Sequence, residues 1–469
     1  MNSTPYRPLS LLMCGLLSAA PAVANPAALN DKLLDELRKN NNVPGMSAAI
    51  IKDGKLVWQG STGYADVARK IPVVTGTRFR LASVSKFVTT VMLARLVEQN
   101  RITLSDPVSR YLPDYPAKSH AFNSLQLASH SAGMPHYDMV RDANRDEAVV
   151  PFKDVAAGLA VFKDRDLIHR PGTKFHYSSF GFNLLSAVME RAAGKDFLAQ
   201  LAELSAIAKA PSLEAEKLGA DTTSWSALYE PGGKQVPRGN VSYNWAGGAM
   251  LSNAGDLARI GALTLDPSYI SRGTLNLFTA PVLLSDGSPV TGENFTMGIG
   301  WRLNTDQHGR RIFHHSGVTR GARSHISVYP EQRLVVAILS NASWISAIEL
   351  TARSLAEPMM DDSAAAAARP CKAGKYAYRG KYKEKPISGT VRFDRAGSHC
   401  TAVFVADNAL GTWLANGSDS GANSLTLFGR GDRLSMVTPL GLFPVTRNGD
   451  SMTLGFSTTT LDLTLERLK

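Results

Sequence analysis

The run from Val84 to Gln99 restricts the fold of this chain more than any other part of its sequence. Phe87, Val88, Val91, Met92, Leu93, Leu96 and Val97 recur at helical spacing, but around most of the helix instead of along one stripe. A helix that is apolar nearly all round is buried by other elements. Two distant groups of β-prone runs supply partners for it. From Ser47 to Ser61 the pattern SAAIIKDGKLVWQGS sets Asp53-Gly54 between two strand-like runs, the chemistry of a two-residue hairpin. Far downstream, a short strand ends near His314, and Ile326 to Tyr329 and Leu334 to Leu339 flank the turn Pro330-Glu331-Gln332. A helix-like tail, Ser346 to Met359, follows. The residues between are mostly helical and include Phe182 to Ala193 and Ala254 to Leu263. Strands at both ends with helices between predict an α+β fold: one antiparallel sheet built from the N- and C-terminal parts of a domain and flanked by helices.

A chain of 469 residues exceeds one typical domain. The segment 361–370, DDSAAAAARP, has little to pack and ends in proline, so it reads as a linker. Beyond it, from 371 to 469, short alternating runs such as Ser424 to Phe428, Arg433 to Val437 and Leu461 to Leu468 predict a small antiparallel β domain. At the other end, Arg7, an apolar stretch from Leu9 to Ala20 and the small residues Ala22-Val23-Ala24 have the form of a cleaved signal peptide over 1–24. That leaves 25–360 as the first domain and implies a periplasmic or secreted protein. Cys371 and Cys400 are then the cysteines that remain, an even pair in a compartment that permits oxidation, and a disulfide between them is expected. The net charge of +11 is spread among acids, so it implies a weak attraction to an anionic wall or membrane surface and gives no nucleic-acid footprint.

The chemistry starts at the head of the buried helix. Ser83-Val84-Ser85-Lys86 follows the extended segment Thr77 to Leu81, and residues three apart share a helix face, so Lys86 lies beside the Ser83 hydroxyl. Burial lowers a lysine pKa and makes the amine a base, which turns Ser-x-x-Lys into a catalytic dyad. The same pattern also arises by chance, and Ser85 also fits a helix cap.

Three further segments make the match specific. Phe79 to Thr90 (FRLASVSKFVTT), Leu127 to Pro135 (LASHSAGMP), Pro171 to Ser179 (PGTKFHYSS) and His314 to Gly317 (HHSG) follow one another in the order found in penicillin-binding proteins and class C β-lactamases, and the chain resembles that family over about Val43 to Met359. The resemblance implies that Tyr177 is the general base or proton relay, its phenol lowered by the neighbouring lysine ammonium. It further implies that the N–H groups of Ser83 and Val318 form an oxyanion hole, and that Ser179, His315, Ser316 and Gly317 bind substrate from an edge strand. His130 is expected to be structural, and Gly298 to Trp301 (GIGW) to be scaffold. Ser179 and His315 stand where β-lactamases carry Asn and Lys, and a histidine grips a carboxylate more weakly than a lysine, which disfavours antibiotic destruction.

No HExxH motif, phosphate loop or GxSxG elbow is present in the sequence, so neither a cofactor nor a metal is expected. The expected activity is hydrolysis of a small peptide or ester through an acyl-enzyme on Ser83, by a peptidase, carboxypeptidase or esterase. The alternatives are a β-lactamase proper and a wall-binding or self-assembling scaffold.

Overall fold

A computed structural model of the protein describes residues 26–137, 151–217, 219–306, 309–345, 348–360, 372–382, 384–396, 399–406, 424–430, 433–438, 441–455 and 460–469. The expected signal peptide, the linker and Cys371 lie outside these residues.

Helix α1 (Pro26–Asn40) opens the described chain. Leu29, Leu33, Leu34 and Leu37 recur every three or four positions and are all buried, so α1 lays one apolar stripe on the sheet. The hairpin follows as β1 (Gly45–Lys52) and β2 (Lys55–Asp66), with Lys52 opposite Lys55. Asp53 and Gly54, the two turn residues, have φ of 50° and 74°. Positive φ at both positions matches the right-handed twist of the strands, which is why Asp-Gly is favoured there.

Strands β3 (Ile71–Pro72), β4 (Thr296–Met297), β5 (Arg302–Thr305), β6 (Arg311–Thr319), β7 (Ala322–Tyr329) and β8 (Leu334–Ser340) complete an eight-stranded sheet in the order β3-β2-β1-β8-β7-β6-β5-β4. The early hairpin joins the late strands where β1 pairs antiparallel with β8, Ala49 facing Ala337. One sheet face is covered by α1 and by the helix that ends the domain (Ile348–Ala356). The other face carries α2 (Val84–Glu98), α3 (Ser179–Ala193), α4 (Phe197–Ile207) and α5 (Ala254–Leu263). Twelve of the 15 residues of α2 are buried, far more than a single stripe would bury, so this helix is internal as its sequence requires.

The C-terminal all-β domain is a closed barrel of eight strands, β9 (Gly374–Tyr382), β10 (Lys385–Ala396), β11 (His399–Ala406), β12 (Ser424–Arg430), β13 (Arg433–Thr438), β14 (Gly441–Asn448), β15 (Ser451–Gly455) and β16 (Thr460–Arg467). Each strand pairs with the next, and β9 closes on β16 with Tyr378 facing Leu465. Closure removes the exposed edges that a small open sheet would carry. Inside, the buried Arg447 guanidinium lies 4.4 Å and 4.2 Å from the Tyr376 and Phe393 ring centres. Cys400, also buried, is disulfide-bonded. Helix α1 touches the barrel as well as the sheet, with Lys32 Nζ 3.2 Å from Asp394 Oδ2.

Candidate active site

The chain enters α2 from the two-residue strand Phe79–Arg80, which is paired to Met250–Ser252. Ala82 then takes a left-handed φ of 47°, a conformation that costs an alanine roughly 1–2 kcal/mol, and delivers Ser83 to the first turn. Ser85 does not cap the helix: its buried hydroxyl accepts the Met250 N–H at 3.1 Å and ties α2 to that neighbouring strand. Lys86 lies one turn beyond Ser83. Its Nζ is 3.3 Å from Ser83 Oγ, 2.9 Å from Ser179 Oγ and 2.5 Å from the Gly247 carbonyl. The side chain is fully buried, and burial first, then the Arg302 charge, hold its pKa well below the usual 10.5. A neutral amine has two N–H donors and one lone pair. In its neutral form, with those donors on Gly247 O and Ser179 Oγ, the amine would turn its lone pair to the Ser83 O–H, as a general base must.

Tyr177 is held just before α3 by two histidines. His130 Nδ1 accepts the Ser178 N–H and His136 Nδ1 accepts the Ser179 N–H, each at 3.1 Å. His130 is therefore structural, and its partner is a backbone amide. Ser178 Oγ donates to Pro135 O at 2.7 Å and accepts Gly181 N–H at 2.9 Å, capping α3. Lys86 Nζ lies 4.6 Å from the Tyr177 ring centre. The expected lowering of the phenol by the lysine is not met: burial pushes Tyr177 up, against smaller opposing effects of Arg302 and the Ser83 hydroxyl. Among the described residues the Tyr177 hydroxyl closes no hydrogen bond of good geometry, although Ser83 is near enough to favour its ionised form. At neutral pH Tyr177 is thus a protonated phenol, a donor.

Strand β6 lies inside the sheet, yet β5 pairs with it only from Arg311 to His314. From His315 onward β6 has a free edge, which reconciles an internal strand with the expected edge position. His315 Nδ1 is 2.7 Å from the Ser316 carbonyl, and since a carbonyl only accepts, Nδ1 carries the proton. Its buried Nε2 has no partner among the described residues. Burial first, then the Arg302 charge, hold His315 well below 6.5, so it is neutral where partial charge was expected. Ser316 Oγ is 2.9 Å from His325 Nδ1 on β7, and Ser179 Oγ is engaged by Lys86. Both hydroxyls expected to meet substrate are thus bonded within the protein. Gly317 has a steric reason to be glycine: a Cβ there would collide with Leu81 O and Ser324 Oγ and lie 3.0 Å from Ser83 N. The strand therefore presses against the Ser83 amide, with the Val318 backbone one residue on.

Arg302 is the site residue that sequence reasoning missed. It starts β5 directly after Trp301, opposite His314, and its guanidinium lies 5.8 Å from the Tyr177 ring centre and 4.5 Å from that of Phe295. An arginine stays charged when buried. Among the described residues no carboxylate forms an ion pair with it, and its charge acts on Lys86, Tyr177 and His315 together. The cleft's cation is Arg302, not His315. The sequence signal was its place one residue beyond GIGW, whose Trp301 is indeed scaffold, fully buried against Phe87 and Phe313.

A serine, a buried lysine and a tyrosine meeting at the head of one buried helix are accompanied by a match of residues 30–344 to the family described as Beta-lactamase. The chain belongs to the beta-lactamase family. Among its relatives, the human serine beta-lactamase-like protein LACTB, mitochondrial, is 25% identical over 389 residues, covering 64% of this chain and 71% of that protein. The D-aminopeptidase of Gluconobacter oxydans is 28% identical over 334 residues, 67% of this chain and 59% of that enzyme. In fold, the chain is similar to the octameric penicillin-binding protein homologue from Pyrococcus abyssi, with a TM-score of 0.61 and 20% identity over 93% of this chain and 99% of the other, a span that includes the barrel. A class C beta-lactamase also matches with a TM-score of 0.61, at 16% identity over 74% of this chain and 99% of that one. The family is one of serine hydrolases with the beta-lactamase fold.

Proposed function

We propose that this protein is an exported serine hydrolase that cleaves amide or ester bonds of small peptides or esters through an acyl-enzyme on Ser83. The observation that carries this reading is the Lys86 amine, buried, its pKa held well below 10.5 by that burial, and 3.3 Å from the Ser83 hydroxyl. In the first half-reaction Ser83 Oγ bonds to the acyl carbon, its proton passes to Lys86, and the carbonyl oxygen becomes an oxyanion between the Ser83 and Val318 N–H groups. The C–N or C–O bond then breaks, and the leaving group takes a proton from Tyr177, which recovers it from Lys86. Water repeats the sequence in reverse and releases the acid.

The unpaired Arg302 charge favours substrates with a free carboxylate near the scissile bond, and the free edge of β6 offers backbone groups to an extended peptide. That combination supports a peptidase of the carboxypeptidase type ahead of a simple esterase. The Gluconobacter relative, a D-aminopeptidase by name, supports peptide substrates. The test is labelling with a fluorophosphonate probe, followed by comparison of p-nitrophenyl esters, D-amino-acid peptides and nitrocefin at equal enzyme concentration. Labelling should vanish in Ser83→Ala, and peptides ending in a carboxylate should be preferred. Labelling that persists in Ser83→Ala refutes the nucleophile, and dominant nitrocefin turnover refutes the substrate class.

A further inference from the structure

A second concavity, sharing no residue with the cleft, opens where the ends of α4 and α5 meet the β1–β2 turn. It encloses about 450 Å³, the size of a small-molecule site. Its floor is apolar, made by Ile51, Leu263, Leu265 and Val335. Leu56 and Ile207 at its mouth are 42% and 48% exposed, large apolar side chains left to water beside the cavity.

Three cations and one acid stand at the rim. Lys209, exposed and held at φ 51° just past α4, forms no ion pair among the described residues. Arg259 is paired with the buried Asp256 and Arg333 with Asp53 at 3.1 Å, the latter an exposed pair of little strength. Asp266 is the acid of the wall, and its carboxylate is occupied by the Ser268 N–H and O–H at 2.9 Å and 2.7 Å. An apolar floor below a lysine that pairs with no carboxylate among the described residues complements a molecule with an aliphatic body and one negative end.

We propose that this groove binds one medium-chain aliphatic carboxylate from solution, its chain on Leu263 and Val335 and its carboxylate at Lys209. The probe is 11-(dansylamino)undecanoate, titrated into the full chain by fluorescence, with decanoate, decylammonium and anionic phospholipid vesicles as competitors. Saturable binding at one site per chain is expected, displaced by decanoate and unchanged in Ser83→Ala and Arg302→Met, which keeps the groove distinct from the cleft. Lys209→Glu should weaken it by about tenfold or more, and Ala262→Phe, which fills the floor, should abolish it. Affinity that survives Lys209→Glu, equal displacement by decylammonium, loss of binding in Arg302→Met, or binding seen only with vesicles would each overturn the proposal.

Discussion

At the scale of the residue, the site works by removing charge from groups that normally carry it. Lys86 is proton-free when folded but protonated when unfolded, between its lowered pKa and 10.5. In that window the unfolded chain binds the extra proton, so burial of the amine costs stability at the acid end, and the cost shrinks as pH rises towards 10.5. Urea unfolding across this range should therefore show wild type gaining on Lys86→Met as pH rises, while the variant loses about 10²-fold or more in kcat. A pH-independent stability difference would mean that Lys86 is charged in the fold. Arg302 does two things that one variant separates. Arg302→Met should raise KM about tenfold or more for substrates with a free carboxylate and leave uncharged esters nearly unchanged. It should also move the acid limb of kcat/KM to higher pH, because a cation that depresses Lys86 has gone. Unchanged KM for both classes would contradict the carboxylate assignment.

At the scale of the element, strand β6 and helix α1 do the positioning. Gly317→Ala places a Cβ against Leu81 O and Ser324 Oγ, so β6 must retreat from the Ser83 amide. About 10²-fold or more should be lost in kcat, as for a removed oxyanion donor, with far-UV circular dichroism unchanged. Full activity would place the oxyanion elsewhere. For α1, Leu33→Ala should cost about 2–5 kcal/mol in urea unfolding, and Lys32→Ala, which removes an exposed ion pair, under about 1 kcal/mol. Much of this was legible. The all-round apolar pattern of α2 gave its burial, Asp53-Gly54 gave the hairpin, and the spacing of Ser83 and Lys86 gave their contact. What escaped depends on pairing between distant segments. Arg302 reaches the cleft because β5 lies opposite His314, and His136 matters because a loop 43 residues upstream meets the Ser179 amide. Neither register is written in local periodicity.

At the scale of the whole molecule, the barrel has a core of its own. The barrel buries its own set of side chains, separate from those around α2, and the Cys400 disulfide belongs to it. Alternating runs announced its strands, but alternation is the same in an open sheet, so closure of β9 on β16 was not readable. Reduction of that disulfide should lower the barrel's thermal transition by an amount equivalent to about 2–5 kcal/mol and leave hydrolysis at 25 °C intact. Loss of activity on reduction would mean that the barrel supports the cleft. The family match ends at residue 344, before the barrel begins, which fits chemistry confined to the first domain. The proposed chemistry turns on Ser83 and Lys86. The measurement that tests it most directly is the intact mass of enzyme quenched during turnover of a p-nitrophenyl ester, followed by peptide mapping. One acyl group per chain on the peptide containing Ser83, absent in Ser83→Ala, is the predicted result, and turnover with no adduct or with an adduct on another residue would contradict it.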